Sequence, residues 1–316
     1  MAVPSNIART DASTLIPEEY SNQLLEVVTA QSVALSIFPT IPLGTKVTNY
    51  PLLGTLPTAG FVTETVDDAT GVKPKSKVTW KNKQITAEEI AVIVPVHENV
   101  LEDSTADLWG QITPAIGQAF GQVIDGAIFY GTNKPSSWRS GLVTTANAAG
   151  NVSQHTGSTT VGSDLIDKFN ALYGLVEKDG NSVTHLVAGP RMKQRLRGLR
   201  ATSGELIYSD LRGGATGELF GANVAYMNNG IFADSVAMAV AVDASKVRIG
   251  IRSDMSYKVL DQATLGSGND AINLAERDMV ALRVKMRLGW EIADNATALS
   301  TSPTSVAILT ATAGNS

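Results

Sequence analysis

Large apolar side chains recur at every fourth position between residues 108 and 128, and this stripe constrains the fold more than any other feature. Such spacing places them on one face of a helix. The predicted helix follows Ser104, which can cap it together with Asp107, and it ends at about Tyr130. At 1.5 Å per residue it is roughly 40 Å long, and Pro114 should bend it. We interpret the stripe as a packing face made of Leu108, Ile112, Ile116, Phe120, Ile124 and Ile128.

Other segments show the periods of strands and of further helices. Residues 90–96 and 280–288 alternate in the manner of half-buried strands. Amphipathic helices are predicted from Ser163 to a stop near Gly180 and again from Pro190. We expect the long helix to pack against the two strands.

The segment 56–85 is predicted to be a long hairpin whose two arms carry opposite charge. Its outgoing arm is acidic and holds Glu64, Asp67 and Asp68. Its returning arm has lysine at nearly every second position, which places Lys73, Lys75, Lys77, Lys81 and Lys83 on one side of a strand. Because the segment has few large apolar residues, it cannot build its own core. We therefore expect it to lie on a neighbouring subunit rather than on its own body.

The N-terminal region is predicted to be an arm followed by a helix. Residues 1–14 are small and polar, and an amphipathic helix is expected from Pro17 to about Leu35. Its carboxylates could face the lysines of an adjacent subunit, which makes a second interface set of Glu18, Glu19 and Glu26.

The composition narrows the classes of function. Charged residues make up 17% of the chain, against roughly 25% in typical soluble domains, so much weakly polar surface is available for burial against other copies. A net charge of −5 does not favour a nucleic-acid binder, and a chain without cysteine forms no disulfide. The sequence lacks a signal-peptide pattern and any apolar run near the roughly 20 residues that span a bilayer, so we expect no membrane partner.

Signals of chemistry are weak. His97, His155 and His185 are far apart, which does not favour a metal site. The glycines of 213–217 lack the lysine of a phosphate-binding loop, and the basic run 191–200 is interpreted as a solvated helix face. We assign no catalytic, cofactor-binding or metal-binding residue and expect no enzyme. A hydrolase with a dispersed catalytic triad stays open, because triad geometry is not local in sequence.

Short segments spread along the chain carry a family resemblance. They are residues 15–20, 49–51, 59–64, 96–104, 125–131, 141–142, 199–205, 219–224, 277–283 and 287–290. Their number, order and spacing resemble the Hong Kong 97-type major capsid protein of tailed phages, over about residues 15–299.

The resemblance implies an α+β fold of four parts, in which the long helix is the spine helix of a peripheral domain with antiparallel strands. The implied parts are an N-terminal arm and helix at 1–45, a peripheral domain at 46–55, 86–134 and 274–297, an extended loop at 56–85, and an axial domain at 135–273 and 298–316.

The implied function is self-assembly, as hexamers and pentamers, into an icosahedral shell around phage DNA. The location would be the virion capsid, assembled in the cytoplasm of a bacterial host. The implied partners are other copies of the chain, a separate scaffolding protein, a portal, decoration proteins, and DNA through weak non-specific contact. A lysine–asparagine crosslink through Asn295 is not expected, because no motif fixes the pair. An encapsulin shell, which has the same fold, is the alternative, although the charged hairpin and the arm favour the viral shell.

Overall fold

The computed structural model describes Val28 and residues 31–61, 75–103, 108–155, 163–199, 217–266 and 271–311. The α-helices of this part are α1 (Val33–Ile37), α2 (Glu98–Asp103), α3 (Leu108–Asp125), α4 (Leu142–Ala148), α5 (Ser163–Glu177) and α6 (Pro190–Gly198). Shorter turns are a π-helix (Gly126–Tyr130) and two 3₁₀ helices (Ala244–Lys246 and Ala275–Arg277).

The strands are numbered in chain order. They are β1 (Thr40–Pro42), β2 (Val47–Leu53), β3 (Trp80–Thr86), β4 (Glu88–His97), β5 (Val152–His155), β6 (His185–Ala188), β7 (Glu218–Leu219), β8 (Ala222–Tyr226), β9 (Ala239–Val242), β10 (Val247–Leu260), β11 (Thr264–Leu265), β12 (Ile272–Asn273), β13 (Met279–Ile292) and β14 (Val306–Ala311).

A four-stranded sheet in the order β1-β10-β13-β4 packs against the long helix. β10 runs antiparallel to β13, and β13 antiparallel to β4, so alternate residues of these strands share a face. One face is apolar and joins α3 in a single core, which contains Ile116, Phe120, Ile124, Val284, Met286 and Leu288. This core depends on a helix with period 3.6 meeting a sheet with period 2.

A six-stranded sheet in the order β5-β14-β9-β6-β8-β7 forms the second unit. Its strands are apolar on both faces, and all four residues of β9 are buried. Val240 and Val242 face the core that also holds α4, whereas Ala239 and Ala241 face the core that holds α5 and α6. Because both faces of this sheet are buried, its strands are continuous apolar runs in the sequence and do not alternate between apolar and polar residues.

The described helices and strands form the mixed architecture that is expected of an α+β fold. The long helical segment ends at Tyr130, and Gly131 adopts the left-handed conformation with φ 72°. Its last five residues form a π-helix instead of a further α-helical turn. The cap residues 104–107 and the side chain of Leu108 lie outside the described residues, and Ile112 is half-buried.

The pairing of β10 bears on the boundary between the predicted peripheral and axial domains. The sequence predicts an axial part at 135–273, and β10, which lies within that range, pairs with β13 at most of its positions. The chain leaves the six-stranded sheet after β9 and turns through Ala244–Lys246 into β10. Asp243 caps that 3₁₀ helix, and its carboxylate accepts a hydrogen bond from Ser245 N at 3.0 Å.

Candidate intersubunit elements

The root of the predicted hairpin is a two-stranded ribbon, β2 paired with β3 in antiparallel register. Leu52 and Ile85 are buried on the ribbon face that is turned toward the subunit's own body. The Ala296 amide donates a hydrogen bond to the Leu53 carbonyl at 3.0 Å. Gly289 of β13 lies against the Thr86 carbonyl, where a Cβ atom would collide. The ribbon is therefore seated on the sheet at the Gly289 end of β13.

Two of the predicted loop lysines contact their own chain. Lys81 and Lys83 have the same parity as Ile85, so they share its body-facing side. The Lys81 ammonium donates to the Thr301 carbonyl at 3.1 Å, and Lys83 lies 3.5 Å from the Glu291 carboxylate. For these two residues the structure differs from the expectation that the segment 56–85 avoids its own body.

Beyond this root, the described residues of both hairpin arms are exposed to solvent. Residues 56–61 and 75–80 are exposed, and the arms stay paired where Thr79 N donates to Thr55 Oγ1 at 2.9 Å. Lys75 and Lys77 are exposed there and make no ion pair with another described residue. The remaining predicted loop residues lie outside the described part of the chain, namely Glu64, Asp67, Asp68 and Lys73.

The outer face of the ribbon is uncharged and carries exposed apolar side chains. Val47 is 45% exposed and Trp80 is 66% exposed, and Phe61 farther along the arm is fully exposed. The other outward residues are Asn49, Pro51, Asn82 and Gln84. Apolar groups exposed together on a projecting element are typical of a surface that a partner covers.

A buried carboxylate holds the N-terminal segment against the long helix. Asp125 is fully buried at the junction of α3 and the π-helix. It accepts hydrogen bonds from Ser32 Oγ at 2.7 Å, from Ala34 N at 2.9 Å and from Val33 N at 3.0 Å. A fourth comes from Asn229 Nδ2 at 2.6 Å. We call this set of contacts the Asp125 clamp; it ties three separate parts of the chain together.

Burial and hydrogen bonding shift the pKa of Asp125 in opposite directions. Burial raises the pKa of Asp125, while the hydrogen bonds from Ala34, Ser32, Val33 and Asn229 act in the opposite direction.

One helical turn before Asp125, Gly121 lets the Gln31 backbone approach the long helix, since an added Cβ would lie 3.0 Å from the Gln31 carbonyl carbon. The N-terminal carboxylates predicted for the interface, Glu18, Glu19 and Glu26, lie outside the described residues.

Sequence reasoning missed the Asp125 clamp, although a signal was present. Asp125 is the one charged residue of the sequence between 108 and 130. A lone charge within a buried helical stripe indicates a specific partner, because an unpaired buried carboxylate is costly.

The histidines and the remaining carboxylates of the described residues were candidates for a metal site. In the part of the chain that the structure describes, no cluster of three or more His, Cys, Asp or Glu could hold a metal ion. His155 lies 3.0 Å from Asp164, and burial lowers the pKa of His185. None of the described helices is long and apolar enough to cross a membrane.

Comparison with known proteins decides the family. The model of the phage capsid family matches residues 12–299. The chain belongs to the phage capsid family. It is a major capsid protein, a structural subunit of an icosahedral phage shell, and its location is the virion capsid.

Solved structures agree with this membership. A chain of Mycobacterium phage Cain is 38% identical with a TM-score of 0.82, over 98% of this chain and 100% of that chain. A chain of Microbacterium phage Oxtober96 is 39% identical with a TM-score of 0.78, over 98% and 100% respectively. The capsid of a native GTA particle is 16% identical with a TM-score of 0.62, over 90% and 91%, which shows the fold alone. No curated protein sequence matches significantly.

Proposed function

We propose that this capsid protein assembles as hexamers and pentamers into a shell that encloses phage DNA, and that its role is structural and not catalytic. The family match over residues 12–299 carries the proposal. The exposed hairpin arms support it, because Trp80 and Phe61 present apolar surface that a neighbouring copy would cover. Relatives that are 38–39% identical come from phages, which favours a phage shell over the encapsulin alternative and the hydrolase.

The proposed interface elements are the hairpin 56–85 and the N-terminal helix. We narrow the lysine contribution to Lys73, Lys75 and Lys77, because Lys81 and Lys83 already contact their own chain. These lysines would meet the acidic residues of an adjacent N-terminal helix, Glu18, Glu19 and Glu26. Each exposed pair contributes about 0–1 kcal/mol, so the effect depends on repetition around a closed ring.

The domain ranges remain proposals, with one change. We assign 46–55, 86–134 and 274–297 to the peripheral domain and add β10 to it. The axial domain then comprises 135–246, 261–273 and 298–316, and it contains the six-stranded sheet.

The proposed partners beyond other copies are a separate scaffolding protein, a portal and decoration proteins. DNA would be contacted weakly and without sequence preference, since the net charge is −5. Assembly is proposed to take place in the host cytoplasm.

The test is assembly of the expressed chain, alone and with the scaffolding protein of its phage, followed by gradient sedimentation and electron microscopy. Wild type should form capsomers or shells, and a chain that stays monomeric in both cases contradicts the proposal. A double variant, Lys75→Glu with Lys77→Glu, should fold normally and assemble with lower yield. The matched control, Lys193→Glu with Arg197→Glu, places the same charge change on the exposed side of α6 and should assemble normally.

A further inference from the structure

A single asparagine of the sequence is followed by glycine, and it is a member of the Asp125 clamp. The pair is Asn229–Gly230. In such a pair the backbone nitrogen of the glycine can attack the side-chain carbonyl carbon of the asparagine, because glycine has no Cβ that hinders the approach. The nitrogen forms a bond to Cγ and the Cγ–Nδ2 bond breaks, so ammonia leaves with the proton of the glycine N–H and a succinimide ring remains. Water then opens the ring to aspartate or isoaspartate.

The fold requires both residues of this reactive pair. Gly230 has φ 79°, a left-handed conformation that glycine adopts without strain. An added Cβ there would meet no atom within 4 Å, so the conformation and not the space demands glycine. Asn229 is buried, and its amide donates to Asp125 Oδ2 at 2.6 Å, which an ionised aspartate in its place could not do. The clamp and the turn therefore keep a reactive dipeptide in the chain.

The same clamp opposes the reaction. Three hydrogen bonds hold Asn229 in place: Nδ2 donates to Asp125, Oδ1 accepts from Ile231 N at 3.3 Å, and the main-chain oxygen accepts from Gln122 Nε2 at 2.9 Å. Ring closure moves Cγ and expels Nδ2, so it must break the bond to Asp125. The reaction therefore proceeds from a locally open state, at a rate proportional to the population of that state. Gly230 is exposed, so water reaches the ring.

We propose that Asn229 is a deamidation site that the Asp125 clamp protects, and that its deamidation leaves the clamp permanently open. The product carries a carboxylate where the amide now donates, so two carboxylates would face each other in a buried site and repel. Isoaspartate also lengthens the main chain by one atom beside the contact with Gln122. The N-terminal segment, which the Asp125 carboxylate holds at α1, is then bound less tightly. One folded subunit suffices for this chemistry, so the inference goes beyond the proposed function.

Mass spectrometry of the full chain, aged in mildly alkaline buffer and then digested, measures the modification. The peptide containing 228–230 should gain the mass that replaces NH2 by OH, and chromatography separates its aspartate and isoaspartate forms. Asn229 should deamidate about tenfold faster in Asp125→Asn than in wild type, and faster still in the denatured chain, because the open state is more populated. Asn228, which is exposed and followed by asparagine, is the internal control and should stay intact. Glu177→Gln, which neutralises an exposed carboxylate elsewhere, should deamidate at the wild-type rate.

Hydrogen–deuterium exchange of the peptide 28–38 measures the consequence for the clamp. Asn229→Asp, which reproduces one product, should accelerate this exchange by about tenfold. The matched control Asn228→Asp places the same charge on the exposed neighbour and should leave the exchange unchanged. Wild-type chain that folded with asparagine and then aged gives the same measurement if Asn229→Asp fails to fold. Its deamidated fraction, separated by ion exchange, should match the variant.

Three results would overturn the inference. Asn229 that stays unmodified in wild type and in Asp125→Asn, while the denatured chain is converted, would show that the folded subunit has no such site. Equal rates in the folded and the denatured wild-type chain would show that the clamp gives no protection. A deamidated fraction whose peptide 28–38 exchanges like the unaged chain would show that the clamp stays closed. Failure of the wild-type chain to form shells would overturn the proposed function and would leave all three measurements decisive.

Discussion

Replacing Asp125 by Asn should release the N-terminal segment from the long helix while the subunit stays folded. The carboxylate accepts four hydrogen bonds, two of them from the backbone N–H groups of Val33 and Ala34. An Asn side chain has the same shape but accepts through one oxygen only. Its amide group would then face two donors, Val33 N and Asn229 Nδ2, where the second carboxylate oxygen now lies.

The expected free-energy cost of Asp125→Asn follows from the loss of those two hydrogen bonds. Hydrogen bonds to a charged group contribute about 1.5–3 kcal/mol each, so losing two costs about 3–6 kcal/mol. Removing a buried charge offsets part of this, because the neutral amide has a smaller desolvation penalty. A net loss of about 2–4 kcal/mol is expected, and it should appear as local opening of α1 because α1 is only five residues long.

Hydrogen–deuterium exchange of the peptide 28–38 measures that opening directly. A change of about 1.4 kcal/mol in opening free energy is a tenfold change in exchange, so Asp125→Asn should accelerate it by about 30- to 700-fold. Peptides from β13 and β9 should exchange as in wild type. The control Glu177→Gln, which neutralises an exposed carboxylate at the end of α5, should change neither.

Two results would refute the reasoning about the clamp. Unchanged exchange of 28–38 in Asp125→Asn would mean that α1 is held by apolar contacts of Val28, Leu35 and Phe38 rather than by the carboxylate. Equal acceleration in β13 would mean that the substitution unfolds the subunit as a whole.

Three further predictions concern the same core. Phe120→Ala should lower the free energy of unfolding by about 3–5 kcal/mol, because Phe120 is 2% exposed within the helix stripe, and an unchanged denaturation midpoint would contradict its packing role. Gly121→Ala should destabilise α1 despite the better helix propensity of Ala, since the new methyl group meets the Gln31 backbone; calorimetry should show a lower melting temperature, and a higher one would refute the close approach. Burial raises the pKa of Asp125 above 3.8, so its contribution to stability is full below that pH and is lost as pH rises through the folded pKa. The stability difference between wild type and Asp125→Asn should therefore grow as pH falls toward 4, and a shrinking difference would contradict the raised pKa.

Local periodicity predicted the main elements well. The four-residue spacing from 108 to 128 predicted a helix that does end at Tyr130, and the alternation of 280–288 lies within β13. These predictions succeed because one periodic stripe facing one core determines the secondary structure. The π-helix was not predictable, since its residues continue the same apolar pattern as the α-helix before it.

The orientation of the lysines could have been predicted and was not. Strand parity places Ile85 on the same side as Lys81 and Lys83. A buried Ile at the base of the arm turns that whole side toward the body, so the first lysines must find partners on their own subunit. Lys83 finds one in Glu291, which lies over 200 residues farther along the chain and could not be identified from sequence.

The open surfaces of the subunit also have a common physical origin. β13 presents Val284, Met286 and Leu288 to the long helix, so strand alternation forces the residues between them, among them Arg283, Lys285 and Arg287, onto the opposite face. A subunit that folded for itself alone could cover that face with a second helix, as the six-stranded sheet is covered on both sides. Here residues 56–61 and 75–79 carry exposed side chains instead. A partly covered sheet and an exposed pair of arms are surfaces that neighbouring copies in a closed ring can bury.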